Sequence, residues 1–309
     1  MKKLSKLLIT LLFFLLTGCI LTHSQLSLFY ALTGLNLWYE KMVPALLPFM
    51  ILSGIMIRLR LTKGFTTALY PVIHPIFRVS RNVCYAIIMG FLCGFPMGAR
   101  TVADLYERQM ITKREGEYLL AFCNNIGPVY FLSFVLPLIG RQLILPYLLG
   151  MYGLPFLYGI ILRYTTFRDL SADGTAVKAS VPLGKMTLLG EMDDAIHSSV
   201  QNILMLGGYM ILFNLLNLVP HILLGEVPQI LSPLFEISGG LKFLGDSAPL
   251  YTLLVLPFGG LSCIAQTYSC IKKTPLSITA YTFHKMFLTV LTAAYYLCWW
   301  VLLPSAFLC

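Results

Sequence analysis

The chain has 309 residues, of which 58% are hydrophobic and only 11% charged, with a mean hydropathy of +0.80. A soluble domain carries roughly 25% charged residues, so this composition excludes a water-soluble globular protein and predicts a polytopic membrane protein. The net charge of +9 is read as basic cytoplasmic loops rather than as a nucleic-acid surface.

The N-terminus, "MKKLSKLLITLLFFLLTGC", reads as a first transmembrane helix with its basic end inside. A signal segment ending in a lipoprotein cleavage box at Cys19 is the alternative. Apolar runs of spanning length are predicted at 4–21, 41–57, 118–139, 143–163, 197–219 and 283–303. The stretch 1–40 is then a helix followed by an outer loop, 41–164 a first repeat, 165–190 a cytoplasmic linker and 191–309 a second repeat. Asp173-Gly174 and Pro182-Leu183-Gly184 mark the linker. The eight cysteines form no CxxC pair and are read as small packing residues.

The proposed duplication rests on three ordered matches about 160 residues apart. "PFMIL" (48–52) recurs as "GYMIL" (208–212), "PIFRVS" (75–80) as "PLFEIS" (233–238), and "GFPMGA" (94–99) as "PFGGLS" (257–262). Basic residues Arg58, Arg60, Lys63, Arg78, Arg81, Arg108, Lys113 and Arg114 flank 82–100 on both sides. One crossing cannot keep both flanks inside, whereas a hairpin that enters and leaves on one face can. The expected fold is therefore all-α, with two inverted repeats, each holding a re-entrant helical hairpin and a broken helix. Lys272 and Lys273 resist this scheme, because it places them outside.

Irregular backbone at membrane depth must be buried in protein or line a cavity. Gly94, Pro96 and Gly98 supply such a break, and the helix starting near Ala99 would aim free N–H groups at a cavity. Arg100 would add a guanidinium suited to a carboxylate or phosphate, or else snorkel to the interface. Asn124, Asn125, Gly127 and Pro128 interrupt a second apolar run and need polar partners or solute. In the second half Ser262, Gln266 and Thr267 occupy comparable places. His284 and Lys285 are read either as part of the site or as an interfacial anchor. No catalytic motif is present, the acidic residues are read as loop residues, and no cofactor or metal is called for.

The stretch "GFPMGAR…ERQMITKREGEYLLAFCNNIGPVYF" resembles the nucleoside-recognition, or Gate-domain, membrane proteins, and within them a sporulation branch. The family tip falls on Phe95, Pro96, Gly98, Ala99 and Arg100. Ile111-Thr112, Glu115 and Asn124-x-x-Gly127-Pro128 follow in order, while Ile126 departs from the small polar residue the family often has. The resemblance implies a fold similar to concentrative nucleoside transporters and a multi-pass place in the cell membrane. For the sporulation branch it implies movement of dipicolinate from mother cell towards forespore. The expected partners are a small solute (dipicolinate or a nucleoside) and the bilayer, with no nucleic acid; a homo-oligomer is compatible. A non-transporting scaffold in spore or envelope assembly and an intramembrane enzyme are the competing classes.

Overall fold

A computed structural model describes residues 2–170 and 188–307, so most of the expected linker, with Lys178 and Lys185, lies outside the described residues. Among the described residues every regular element is helical. The chain opens with α1 (Lys2–Thr22) and α2 (Ser24–Arg58). The expected outer loop before residue 41 is instead helix: Ser24–Leu37 passes through one π turn, Trp38–Met42, straight into Val43–Arg58. Nothing in 24–37 breaks helical geometry, and Ser27, Tyr30, Thr33, Gly34 and Leu37 recur at helical spacing as its buried face.

That face meets α9 (Leu188–Leu224). A short helix, α3 (Tyr70–Phe77), leads to Ser80, whose hydroxyl accepts from Val83 N and caps α4 (Arg81–Cys93). The chain breaks at Gly94–Pro96 and returns as α5 (Met97–Glu107). The two arms pack together, and their outer ends are tied: the Asn82 carboxamide donates to Met110 O at 2.9 Å. The stretch is thus a helical hairpin with both ends on one side, as the charge pattern predicts.

A full capping box, Thr112 with Glu115, starts α6 (Lys113–Leu120). The expected span 118–139 is not one helix. It is broken at 121–127 and resumes as α7 (Pro128–Ile139), then α8 (Arg141–Tyr164) runs back. Arg163, near the end of α8, is buried and gives five hydrogen bonds to the carbonyls of Phe77, Arg78, Phe167 and Leu170. Nearby, Arg114 bonds Asp169 and holds that carboxyl below the usual carboxylate range.

Helix α9 lies antiparallel to α2. Gly34 sits against Met210 and Ile211, the Trp38 indole donates to Ile203 O at 2.7 Å, Gly54 faces Ala195, and Arg58 pairs with Asp194 at 3.4 Å. After it come α10 (Ser232–Phe235), α11 (Ile237–Leu244), α12 (Pro249–Val255), α13 (Gly260–Ile271) and α14 (Ile278–Leu302). Five described segments are long and apolar enough to cross a membrane: α2, α8, α9, α12 with α13, and α14. The protein is a polytopic helical membrane protein.

Arg58 and Arg108 share Glu191 at 3.7 and 3.5 Å, which gathers the ends of α2, α5 and α9. Lys272 and Lys273, expected on the far side, lie in the turn before α14; that turn returns beside α6, where Leu276 packs on Gly116.

The matched stretches of the expected duplication fall in different surroundings. "PIFRVS" lies at the outer end of the first hairpin, where Ser80 meets Glu115. "PLFEIS" instead forms a buried turn whose Pro233 and Phe235 carbonyls press on Gly260. Both stretches end a hydrophobic helix and cap the next, with Ser80 in one and Glu236 in the other.

Candidate functional site

The two breaks of the first half are stacked on each other. Gly94 adopts φ +77°, and a Cβ there would come within 2.2 Å of Gly127 N. Only glycine permits both the conformation and the approach. A Cβ on Gly127 would likewise meet Cys93 O at 2.5 Å. Phe95 N donates to Asn125 O at 2.6 Å, so one break satisfies the other's backbone. The Phe95–Pro96 peptide is cis. Pro128 starts α7 at the first helical position, where its missing N–H costs nothing.

Asn124 joins three elements at this crossing. Its Oδ1 accepts from Ala99 N at 3.3 Å, and its Nδ2 donates to Thr267 Oγ1 at 2.9 Å and Tyr281 OH at 3.1 Å. The start of α5 is therefore capped by a carboxamide of the protein itself rather than left open to a cavity, as the sequence led us to expect. Asn125 turns inward and donates to Phe122 O at 2.6 Å.

Lys285 completes the cluster. It is 4% exposed, its Nζ donates to Asn124 O at 3.1 Å, and the ammonium lies 5.5 Å from the centre of the Phe95 ring. It is not an interfacial anchor. Its neighbour His284 points elsewhere, meeting Tyr158 OH at 2.6 Å. Gln266 and Ser262 bond each other at 2.8 Å on α13, the helix whose Thr267 meets Asn124.

Arg100 stands apart from Asn124. It grips Asp104 with two contacts, 2.6 and 3.2 Å, and reaches Asn202 Oδ1 at 3.5 Å. The guanidinium fork finds a carboxylate, as its chemistry favours, but that carboxylate is one turn along its own helix.

Cavities lie on both sides of the hairpin tip. One is polar and lined by Arg58, Arg100, Asp104, Arg108 and Asn202; a second, smaller space shares Met50 and Asn202 with it and is walled by Pro96, Gln266 and Cys270. The other is more apolar and lined by Phe95, Cys93, Ile126, Gly127, Tyr130 and Ser238. Adjacent residues wall opposite cavities: Pro96 and Phe95 on the tip, Met50 and Phe49 on α2.

A second buried charge escaped the sequence reading. Glu236, 2% exposed, accepts from Ser238 N, Gly239 N at 2.6 Å and Asn214 Nδ2 at 3.1 Å, capping α11. The signal was available: a lone acid directly after "PLF" and just before "ISGG" is N-cap chemistry.

Fold and site together define a helical membrane protein whose broken segments meet around buried polar groups. The chain is 28% identical to the sporulation integral membrane protein YlbJ of Bacillus subtilis (strain 168), in an alignment of 353 residues taking in 99% of this chain and 85% of that protein. A likeness running the length of the chain supports the YlbJ-like family. No family model matches the sequence, and no solved structure matches it.

Proposed function

We propose that the protein is an integral membrane transporter of a small solute, working by alternating access across the tip Gly94–Pro96. One observation carries this reading: Phe95 and Pro96, joined by a single peptide bond, wall cavities on opposite faces of the same tip. A scaffold has no use for a thin polar partition between two cavities. Transporters place their sites where discontinuous helices meet at the interface of two halves.

The antiparallel α2 and α9 support an inverted relation between the halves. So does the shared pairing of a turn with a broken crossing, Gly94–Pro96 on Asn125–Gly127 and Pro233–Ile237 on Gly260. On this reading the fold is of the Gate-domain kind, similar to concentrative nucleoside transporters, with the Arg58 end and the N-terminus cytoplasmic. The motif resemblance and the sporulation relative favour a planar anion such as dipicolinate as cargo, with a nucleoside the alternative. Uptake of labelled dipicolinate and of nucleosides into vesicles holding the purified protein is the test. Accumulation of either above protein-free vesicles is expected; none for any solute would leave a non-transporting scaffold.

A further inference from the structure

The crossing holds a buried lysine with no counter-ion. Lys285 is buried within a helix long and apolar enough to span a membrane, and among the described residues no carboxylate stands within ion-pairing distance of its Nζ. The ammonium has three donors. One goes to Asn124 O, and the Phe95 ring covers another direction. Buried charges are ordinarily paired, because removal from water is costly. The two obvious alternatives for the pairing role are already occupied. Asp104 is held by Arg100, and Glu236 is held by two backbone amides and the Asn214 carboxamide. Arg100, the residue the sequence suggested for an anion, is neutralised by Asp104.

Phe95 explains how the charge is kept waiting. Its ring stands over Lys285 and also lines the apolar cavity, so one side chain lies against both. Gly259 lies 3.5 Å from the ring edge when given a Cβ, which leaves the ring a neighbour without side-chain bulk on that flank.

We propose that Lys285 is the anion-binding group of the transport site and that Phe95 shields it until solute enters from the apolar cavity. The proposal rests on the transport reading above and names its cargo class: a small solute carrying a carboxylate or a comparable anionic group. The negative group would take the free donors of Nζ, and displacement of the ring would exchange a cation–π contact for a charge-assisted hydrogen bond.

The test is equilibrium binding to full-length protein in detergent, using dipicolinate and its neutral diamide, which shares its shape but not its charge. Wild type should prefer the dicarboxylate at least tenfold. Lys285→Gln should erase the preference, weakening dicarboxylate binding tenfold or more beyond any change for the diamide. Lys285→Arg should retain part of it. Thermal unfolding identifies variants that fail to fold, and Phe95→Ala then serves as the second probe, expected to bind the dicarboxylate faster on rapid mixing and to keep the preference at equilibrium. If Lys285→Gln binds the dicarboxylate as wild type does, the lysine only tethers the Asn124 carbonyl and the proposal falls, while measured uptake still upholds transport. If wild type shows no charge preference but transports a neutral solute, the anion assignment alone is overturned. A protein that binds neither probe and transports nothing overturns both readings.

Discussion

The two turn-on-break contacts of this protein solve one problem with opposite chemistry. In the first half, the Gly94–Pro96 tip lies on the Asn125–Gly127 break, and its helix is capped by a neutral carboxamide, Asn124. The charge at that crossing comes from another element, as the Lys285 ammonium on α14. In the second half, the Pro233–Ile237 turn lies on Gly260, and its helix is capped directly by a carboxylate, Glu236. An anion at a helix N-terminus is electrostatically matched, so the Glu236 carboxyl of the second crossing has its donors within its own turn and helix, although Asn214 Oδ1 and Ser232 Oγ beside it stay unpartnered. A cation beside a freed carbonyl retains unused donors. The difference teaches which crossing is built to stay and which is equipped to take a partner.

The largest expected effect tests the steric half of this contrast. Gly94→Val should cost on the order of 3 kcal/mol or more, because it combines overpacking with a left-handed backbone. Gly245, also at positive φ but with nothing within 4 Å of its Cβ position, is the control. Gly245→Val should retain a monodisperse peak on size exclusion where Gly94→Val loses it; equal behaviour would mean that backbone conformation alone matters.

Next in size are the two caps. Asn124→Leu strands Ala99 N–H, Thr267 and Tyr281 together, each buried group costing about 1–3 kcal/mol. Glu236→Gln keeps the shape but only one of the two accepting oxygens, turning an NH2 against a buried donor, and should cost about 1–2 kcal/mol. Thermal unfolding in one detergent should therefore rank the asparagine variant well below the glutamine variant. The reverse order would make Glu236 the more demanding site and undo the comparison.

The smallest effect belongs to Arg100. Its pair with Asp104 joins neighbouring turns of one helix and is partly solvated, so Arg100→Gln should cost roughly 0.2–1 kcal/mol. Its dicarboxylate binding should stay near wild type. A tenfold loss would return the anion-binding role to Arg100.

Much of this was legible in the sequence because backbone breakers are rare inside apolar runs. Gly94, Pro96, Gly98 and Asn124–Pro128 announced both breaks of the first half, and flanking arginines announced that the hairpin ends share a side. Partners were not legible. That Arg100 turns to Asp104 follows from their four-residue spacing, a signal present but passed over in favour of the break beside it. That Lys285 reaches Asn124 depends on packing between residues 161 apart, which periodicity cannot encode. The helix over 24–37 was missed for a simpler reason: its polar serines and threonine look like loop until the buried face is known.

Arg163 bears on the order in which the protein can be made. Its guanidinium is the described donor to the Phe77 carbonyl and to that of Arg78, 85 and 86 residues earlier in the chain. As synthesis proceeds from the N-terminus, those carbonyls have only water to bond until residue 163 arrives. Water is scarce in the bilayer core, so the entry to the first hairpin must wait at the wet surface. It is fastened in place only after α8 has been laid down, and the last turn of that helix closes the unit behind it.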